Sequence, residues 1–240
     1  MSRLQLGLRH RQFCLLVLVR PIIAALALLA LTPVALVVPA VAQTPFDLLQ
    51  GAQSGDMNRI RASLAAKVPV DVRDGRGRTA LLKATHHNRS DVARLLIGNG
   101  ADVNAKDKIE DTPYLYAGAE GRNEILKMTL ANGANLKDTN RYGGTALIPA
   151  AHHGHPETVS ILLKTAIVVD HVNKLSWTAL LEAIILGNGG AAHTDIVRQL
   201  LNAKADPHIA DRDGVTPLVH ARRRGQAEIV ALLLKAGARK

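Results

Sequence analysis

The feature that most constrains this chain is a repeat. One phrase recurs as TALLKA at Thr79, TPYLYA at Thr112, TALIPA at Thr145, TALLEA at Thr178 and TPLVHA at Thr216, with spacings of 33, 33, 33 and 38 residues. Self-similarity at this period means a stack of like supersecondary units, each too small to bury its own apolar face. A step of 33 back from Thr79 reaches Phe46 in FDLLQGAQSGD, which keeps Leu48, Gly51 and Gly55. Six units result, starting near residues 46, 79, 112, 145, 178 and 216; the first is degenerate, and the first and last act as caps.

Each unit reads as two helices. The Thr is an N-cap, its hydroxyl accepting from first-turn N–H groups. Pro113 and Pro217 follow at the first helical position, where a missing N–H costs nothing. Ala84, Ala117, Ala150, Ala183 and Ala221 let a neighbouring helix come close. Four residues later Gly121, Gly154, Gly187 or Gly225, or Asn88 in their place, ends the helix with positive φ. A second helix follows through DVARLLI, TVSILL, DIVRQLL or EIVALLL, with apolar residues at helical spacing. The acids ahead of it, Asp91, Glu124, Glu157, Asp195 and Glu228, read as charges facing the helix macrodipole. The extra residues of unit five, NGGAA at 188–192, fall between its helices, away from the turns, and leave the stack intact.

Six aromatic residues in 240 suit close helix packing on small residues and Leu better than a conventional core. The first 42 residues read as a secretory leader: Arg3, Arg9, Arg11 and Arg20 without an acid, an apolar run from Ile22 to Val38, then Ala40-Val41-Ala42 before Gln43. Pro21 and Pro33 flank or interrupt the run, and an uncleaved membrane anchor is the alternative reading. Cleavage leaves residues 43–240 and lowers the formal charge from +10 to +6, a moderate basicity that favours acidic partners without arguing for nucleic acid. Cys14, the only cysteine, leaves with the leader, which excludes a disulfide scaffold, a thiol enzyme and a thiolate metal site.

Residues 46–240 closely resemble the ankyrin repeat, in period, in the Thr-Pro/Ala-Leu start, in the inter-helix Gly, and in the loops Gly100-Ala101-Asp102 and Gly133-Ala134-Asn135. The resemblance implies an all-α solenoid of six helix-turn-helix units joined by hairpin-like turns. Some positions depart from it. The family's His three residues after the Thr becomes Leu82, Leu115, Ile148, Leu181 or Val219, which removes a recurring polar tie from the turn. Unit four reads TAIVVDHVN in place of the Gly-Ala-Asp loop, and Lys204 replaces the loop Gly of unit five. The last helix, EIVALLLKAGARK, is more apolar than an outer cap should be.

The resemblance further implies binding of a protein through turn tips and first helices, at positions four, three and one before the Thr and seven and eight after it. Four before gives a basic ladder, Lys108, Arg141, Lys174 and Arg212. Three before gives the apolar tips Ile109, Tyr142 and Leu175. Unit five adds Trp177, Ile185 and Leu186, an apolar cluster of the kind that forms hot spots. The alternative is that Ile185 and Leu186 pack beneath the inserted loop while Trp177 covers the next turn. His152 and His153, with His155 and the pair His86-His87, read as groove histidines able to make binding pH-dependent; no carboxylate or thiol completes a metal-ligand spacing.

No nucleophile elbow or phosphate loop is present, so neither catalysis nor a cofactor is expected. The expected protein is a monomeric, non-enzymatic adaptor in the periplasm or envelope, with a protein partner, no nucleic acid, and no membrane insertion once the leader is removed. Exported bacterial proteins similar to it are linked with oxidative-stress defence. The competing reading is a secreted effector acting on a host or neighbouring cell.

Overall fold

The computed structural model describes residues 43–239; the leader with Cys14 lies outside them, as does Lys240. Among the described residues, twelve helices fall into six pairs: α1 (Pro45–Ser54) with α2 (Met57–Ala65), α3 (Ala80–His86) with α4 (Ser90–Gly98), α5 (Pro113–Ala119) with α6 (Asn123–Ala131), α7 (Leu147–His152) with α8 (Pro156–Leu163), α9 (Ala179–Ile185) with α10 (Ala191–Asn202), and α11 (Pro217–Arg223) with α12 (Ala227–Lys235). First helices stack in one row, α1 on α3 through to α9 on α11, and α4, α6, α8, α10 and α12 stack in a second. Among the described residues there are no strands, only one isolated bridge between Arg73 and Thr79, so the turns are hairpin-like without becoming a sheet. No described helix is long and apolar enough to cross a membrane.

The core is the seam between the rows. Leu81, Leu126, Leu147, Leu180 and Leu200 are buried, and so are all five spacer alanines, which lets the short first helices lie against each other. Burying one such Leu stabilises by about 2 kcal/mol, and because each face is shared with the next unit, that gain belongs to the stack.

The Thr caps form as expected at Thr79, Thr112, Thr178 and Thr216, each hydroxyl accepting from the N–H three residues on. Thr145 does not cap, contrary to the sequence reading. Its helix starts at Leu147 behind Ala146, and its buried hydroxyl has no partner among the described residues. The cause is Pro149. In the other units the Thr carbonyl accepts from the N–H four residues on, which proline lacks, so Thr145 O takes Ile148 N–H at 3.1 Å instead and the turn tightens. In unit one the cap is Thr44, in a capping box with Asp47 and followed by Pro45, two residues ahead of the point a strict step of 33 reaches.

Unit five differs most. Asn88, Gly121, Gly154 and Gly225 have positive φ as expected, but Gly187 does not; Gly189 takes that role. Gly187 answers a different need, because a Cβ there would lie 2.1 Å from Ala183 O and 2.4 Å from the His193 ring. The extra residues also lengthen the second helix to 12 residues. Asp195 therefore lies a full turn inside α10, bonded to Arg198 and Gln199, and is not a first-turn charge like Asp91, Glu124, Glu157 and Glu228. The loop is packed. Asn188 Oδ1 accepts from Gly190 N–H at 2.9 Å and lies 3.0 Å from His193 Nδ1, while His193 Nε2 lies 2.9 Å from His152 O, tying unit five to the end of α7.

Candidate partner-binding groove

Each turn is organised by an Asx residue five before the Thr: Asp74, Asp107, Asn140, Asn173 and Asp211. Its side-chain oxygen accepts from the N–H groups two and four residues on, at 2.9–3.0 Å throughout. In units two, five and six the residue four after the Thr braces that Asx. Lys83 Nζ lies 3.5 Å from Asp74, Asn173 Nδ2 donates to Glu182 Oε1 at 2.8 Å, and His220 Nε2 is 2.7 Å from Asp211. The polar tie lost with the family's histidine is therefore supplied one residue later. The Asx ladder keeps the register of the repeat; sequence reasoning did not single it out, although its mutual spacing is the signal that would find it.

The fixed turns hold the tips out. Ile109, Tyr142 and Leu175 are 47%, 53% and 41% exposed, and Leu186 at the end of α9 is 42% exposed. Between the tips and the first helices of units three, four and five lies a cleft of about 410 Å³. Arg141, Tyr142, His152, His153, Leu175 and Leu186 line it, together with Asp111, Tyr116, Glu120, Ile148, Pro149, Asn173 and Glu182. Trp177 and Ile185 do not; both are half-buried, so the apolar cluster expected of unit five is divided between a cleft-lining pair and a half-buried pair. Lys108 and Ile109 on the unit-three tip and Lys174 on the unit-five tip do not line the cleft, although Asp111 and Leu175 of the same tips do; Arg212 lies on the tip of unit six.

The basic ladder is exposed and partly used for joining turns. Lys174 Nζ donates to Arg141 O at 2.9 Å, Arg212 to Lys174 O at 3.3 Å, and the Arg141 guanidinium lies over the Tyr142 ring at 4.6 Å. Lys108 and Lys174 also donate their backbone N–H to the preceding turn, at Arg76 O and Tyr142 O.

Two carboxyls give the cleft its electrostatics: Asp111, which stands one before its Thr at a contact position of the repeat, and Glu182, whose register position gives no sign of a site. Glu182 on α9 is buried, and burial pushes its carboxyl up to about 7. Burial, with Asp107 close by, raises Asp111 to about 6. His152 Nδ1 lies 3.7 Å from Glu182 Oε2, and burial with the neighbouring His153 and His193 holds its imidazole below the ordinary value. His153 Nδ1 is 2.7 Å from Ala119 O, and His86 stacks on Tyr116 at 3.8 Å. Each imidazole thus already has a neighbour within the stack.

A family model described as ankyrin repeats (3 copies) matches residues 48–140, 114–211 and 166–240. The chain is 38% identical over 195 residues to the ankyrin repeat protein YahD of Escherichia coli (strain K12), covering 81% of this chain and 97% of that protein. Among solved structures it is similar to an ankyrin repeat domain from Acinetobacter baumannii AYE, with 56% identity, a TM-score of 0.79, and coverage of 82% of this chain and 100% of that one. It is also similar to the ankyrin repeat protein EF0377, with 39% identity, a TM-score of 0.77, and coverage of 80% and 98%.

Proposed function

This chain belongs to the ankyrin-repeat family, and from that premise we propose that it is a non-enzymatic module that captures a protein partner through the groove of units three to five. The observation that carries the proposal is the row of exposed apolar tips, Ile109, Tyr142 and Leu175, beside a cleft that Leu186 also borders. Turn tips are ordinarily solvated, and aromatic and aliphatic side chains held out by rigid turns make anchors without a large ordering cost. The test is partner capture by chemical cross-linking with a Tyr142→Ser, Leu175→Ser double variant. Capture falls at least about tenfold while thermal stability stays within the small range of surface substitutions; undiminished capture sinks the proposal.

The proposed location is the bacterial periplasm, as a monomer. What supports it is the leader pattern that ends at Ala40-Val41-Ala42, together with the bacterial origin of YahD and of the Acinetobacter domain. Cell fractionation tests it, and release into the medium would favour the secreted-effector reading instead. The role in oxidative-stress defence that the resemblance implies is tested by peroxide survival of a strain lacking the protein.

A further inference from the structure

We propose that the cleft between units three, four and five takes a cationic side chain, arginine or lysine, from a segment of the partner protein, its charge meeting Glu182, Asp111 and Glu120 and its stem lying on Tyr142, Ile148 and Leu175. The proposal rests on the groove being the partner site and names the chemistry that the groove selects.

Glu182 is 6% exposed, and it borders the cleft from α9. Its Oε1 accepts from Asn173 Nδ2 at 2.8 Å, its Oε2 accepts no hydrogen bond from the described residues, and His152 Nδ1 lies 3.7 Å from Oε2. Burial disfavours the charged form of Glu182, and an arriving N–H cation offsets that cost. Asp111, half-buried and also lining the cleft, makes no close ion pair with a lysine or arginine among the described residues; Arg141 attracts it from farther off, and the neighbouring Asp107 repels it. Burial is the first cause that shifts both carboxyls upward, and it outweighs the attraction of Arg141 on Asp111 and of His153 on Glu182.

The charges facing this space come from each element around it. The turn of unit three brings Asp111, on which Asp107 acts from outside the cleft; α5 brings Glu120 and Tyr116, with His86 of α3 stacked behind; the turn of unit four brings Arg141; α7 brings His152 and His153, and His193 of α10 acts on His152; α9 brings Glu182; the turn of unit five has Lys174 outside the lining, its Nζ donating to Arg141 O. Burial keeps His86 and His152 biased to the neutral form, and Arg141 is exposed, folded over Tyr142. At pH 8, with Glu182 and Asp111 ionised, the carboxylates lining the cleft outnumber its one permanent cation, Arg141. An anionic side chain would meet three acids, and a neutral apolar one would leave Glu182 unpaired. A long cationic side chain suits both parts, with methylenes on the apolar wall and the head among the carboxylates.

The test uses the intact protein and two probes, acetyl-Leu-Arg-Leu-amide and its uncharged isostere acetyl-Leu-citrulline-Leu-amide, in NMR titrations at pH 5.5 and 8. The arginine probe is expected to move the amide signals of Asp111, Tyr142 and Glu182, to bind about tenfold tighter than the citrulline probe at pH 8, and to lose about that factor at pH 5.5 as the carboxyls protonate. Glu182→Gln keeps an oxygen for Asn173 and is expected to lose most of the preference for arginine. Equal affinity for the two probes, shifts away from the cleft, or an undiminished preference in Glu182→Gln overturns the proposal. Should that variant not fold, Asp111→Asn and the pH dependence of the wild-type protein decide, and a pH-independent preference is fatal. Loss of partner capture in the Tyr142, Leu175 double variant without any preference for arginine removes the cation pocket alone. A preference for arginine with undiminished capture removes the groove as partner site.

Discussion

Glu182 ties stability to pH in a direction opposite to most carboxylates. Its folded-state carboxyl titrates at about 7 against an ordinary 4.5, so between those values the folded protein holds a proton that the unfolded chain has released. Stability from this group therefore falls as pH rises through that window. Glu182→Gln is expected to leave the melting temperature unchanged near pH 4.5 and to raise it at pH 8, a gain in stability of up to about 3 kcal/mol; equal melting of the two proteins at pH 8 would refute this. Asp74 behaves the other way. Burial alone would raise it, but hydrogen bonds from Arg78 and Arg76 bring it down to about 2, so its contribution is present above the ordinary 3.8 and is lost as pH falls toward 2. Ser176, two before its Thr, has φ of 66°, where units two, four and six place a glycine. Ser176→Gly is expected to relieve about 1 kcal/mol of left-handed strain, less the entropy a glycine adds to the unfolded chain, read as a higher denaturant midpoint. At this scale the sequence was partly legible. Tip residues could be placed from register alone, but Glu182 sits at a position shared with Lys83, Tyr116, Pro149 and His220, where nothing in the residue type signals a buried, half-satisfied acid.

Among elements, the caps separate what a motif promises from what a helix can accept. Thr112 and Thr178 close their first turns, whereas Thr145 has the same phrase around it and an idle hydroxyl, because Pro149 withholds the N–H that sets the turn. Thr178→Val should cost about 1 kcal/mol through the lost cap, while Thr145→Val should be neutral or stabilising, since it removes a buried hydroxyl without a partner. Equal losses in chemical denaturation would contradict the assignment. Pro149 was visible in TALIPA; its effect became evident only when the hydrogen bonds of the turn were counted one by one. Of the NGGAA insertion expected between the helices of unit five, only residues 188–190 lie there; Ala191 and Ala192 open α10, a division that depends on tertiary contacts. Gly187 lies under the His193 ring, and that ring reaches His152 O in another unit, 41 residues away in sequence. His193→Ala is expected to destabilise by about 1–2 kcal/mol, since it removes the ring packed over Gly187 and leaves the part-buried His152 O without its partner, with amide exchange accelerating first in residues 186–193.

The whole molecule is a stack in which every unit borrows its core from the next, so its architecture could be read from period alone. Thr caps, Ala spacers and Leu at helical spacing agree at every level, and that agreement is what makes the fold legible. The proposed partner surface was harder to read, because register identifies which residues stand at the tips but not which of them remain exposed. Leu175 and Trp177 are two residues apart on one turn, yet only Leu175 is exposed and lines the cleft. Leu147, buried between two neighbouring first helices, should cost about 2–5 kcal/mol when replaced by Ala and should shift the unfolding of the stack as a whole. The central claim is that the groove of units three to five holds the partner. The most direct measurement is photo-cross-linking in living cells from a photoreactive residue at position 175, compared with one at Arg94, which is exposed on α4 of the second-helix row. The account predicts a discrete protein adduct from position 175 and none from position 94; no adduct at 175, or the same adducts from both, would contradict it.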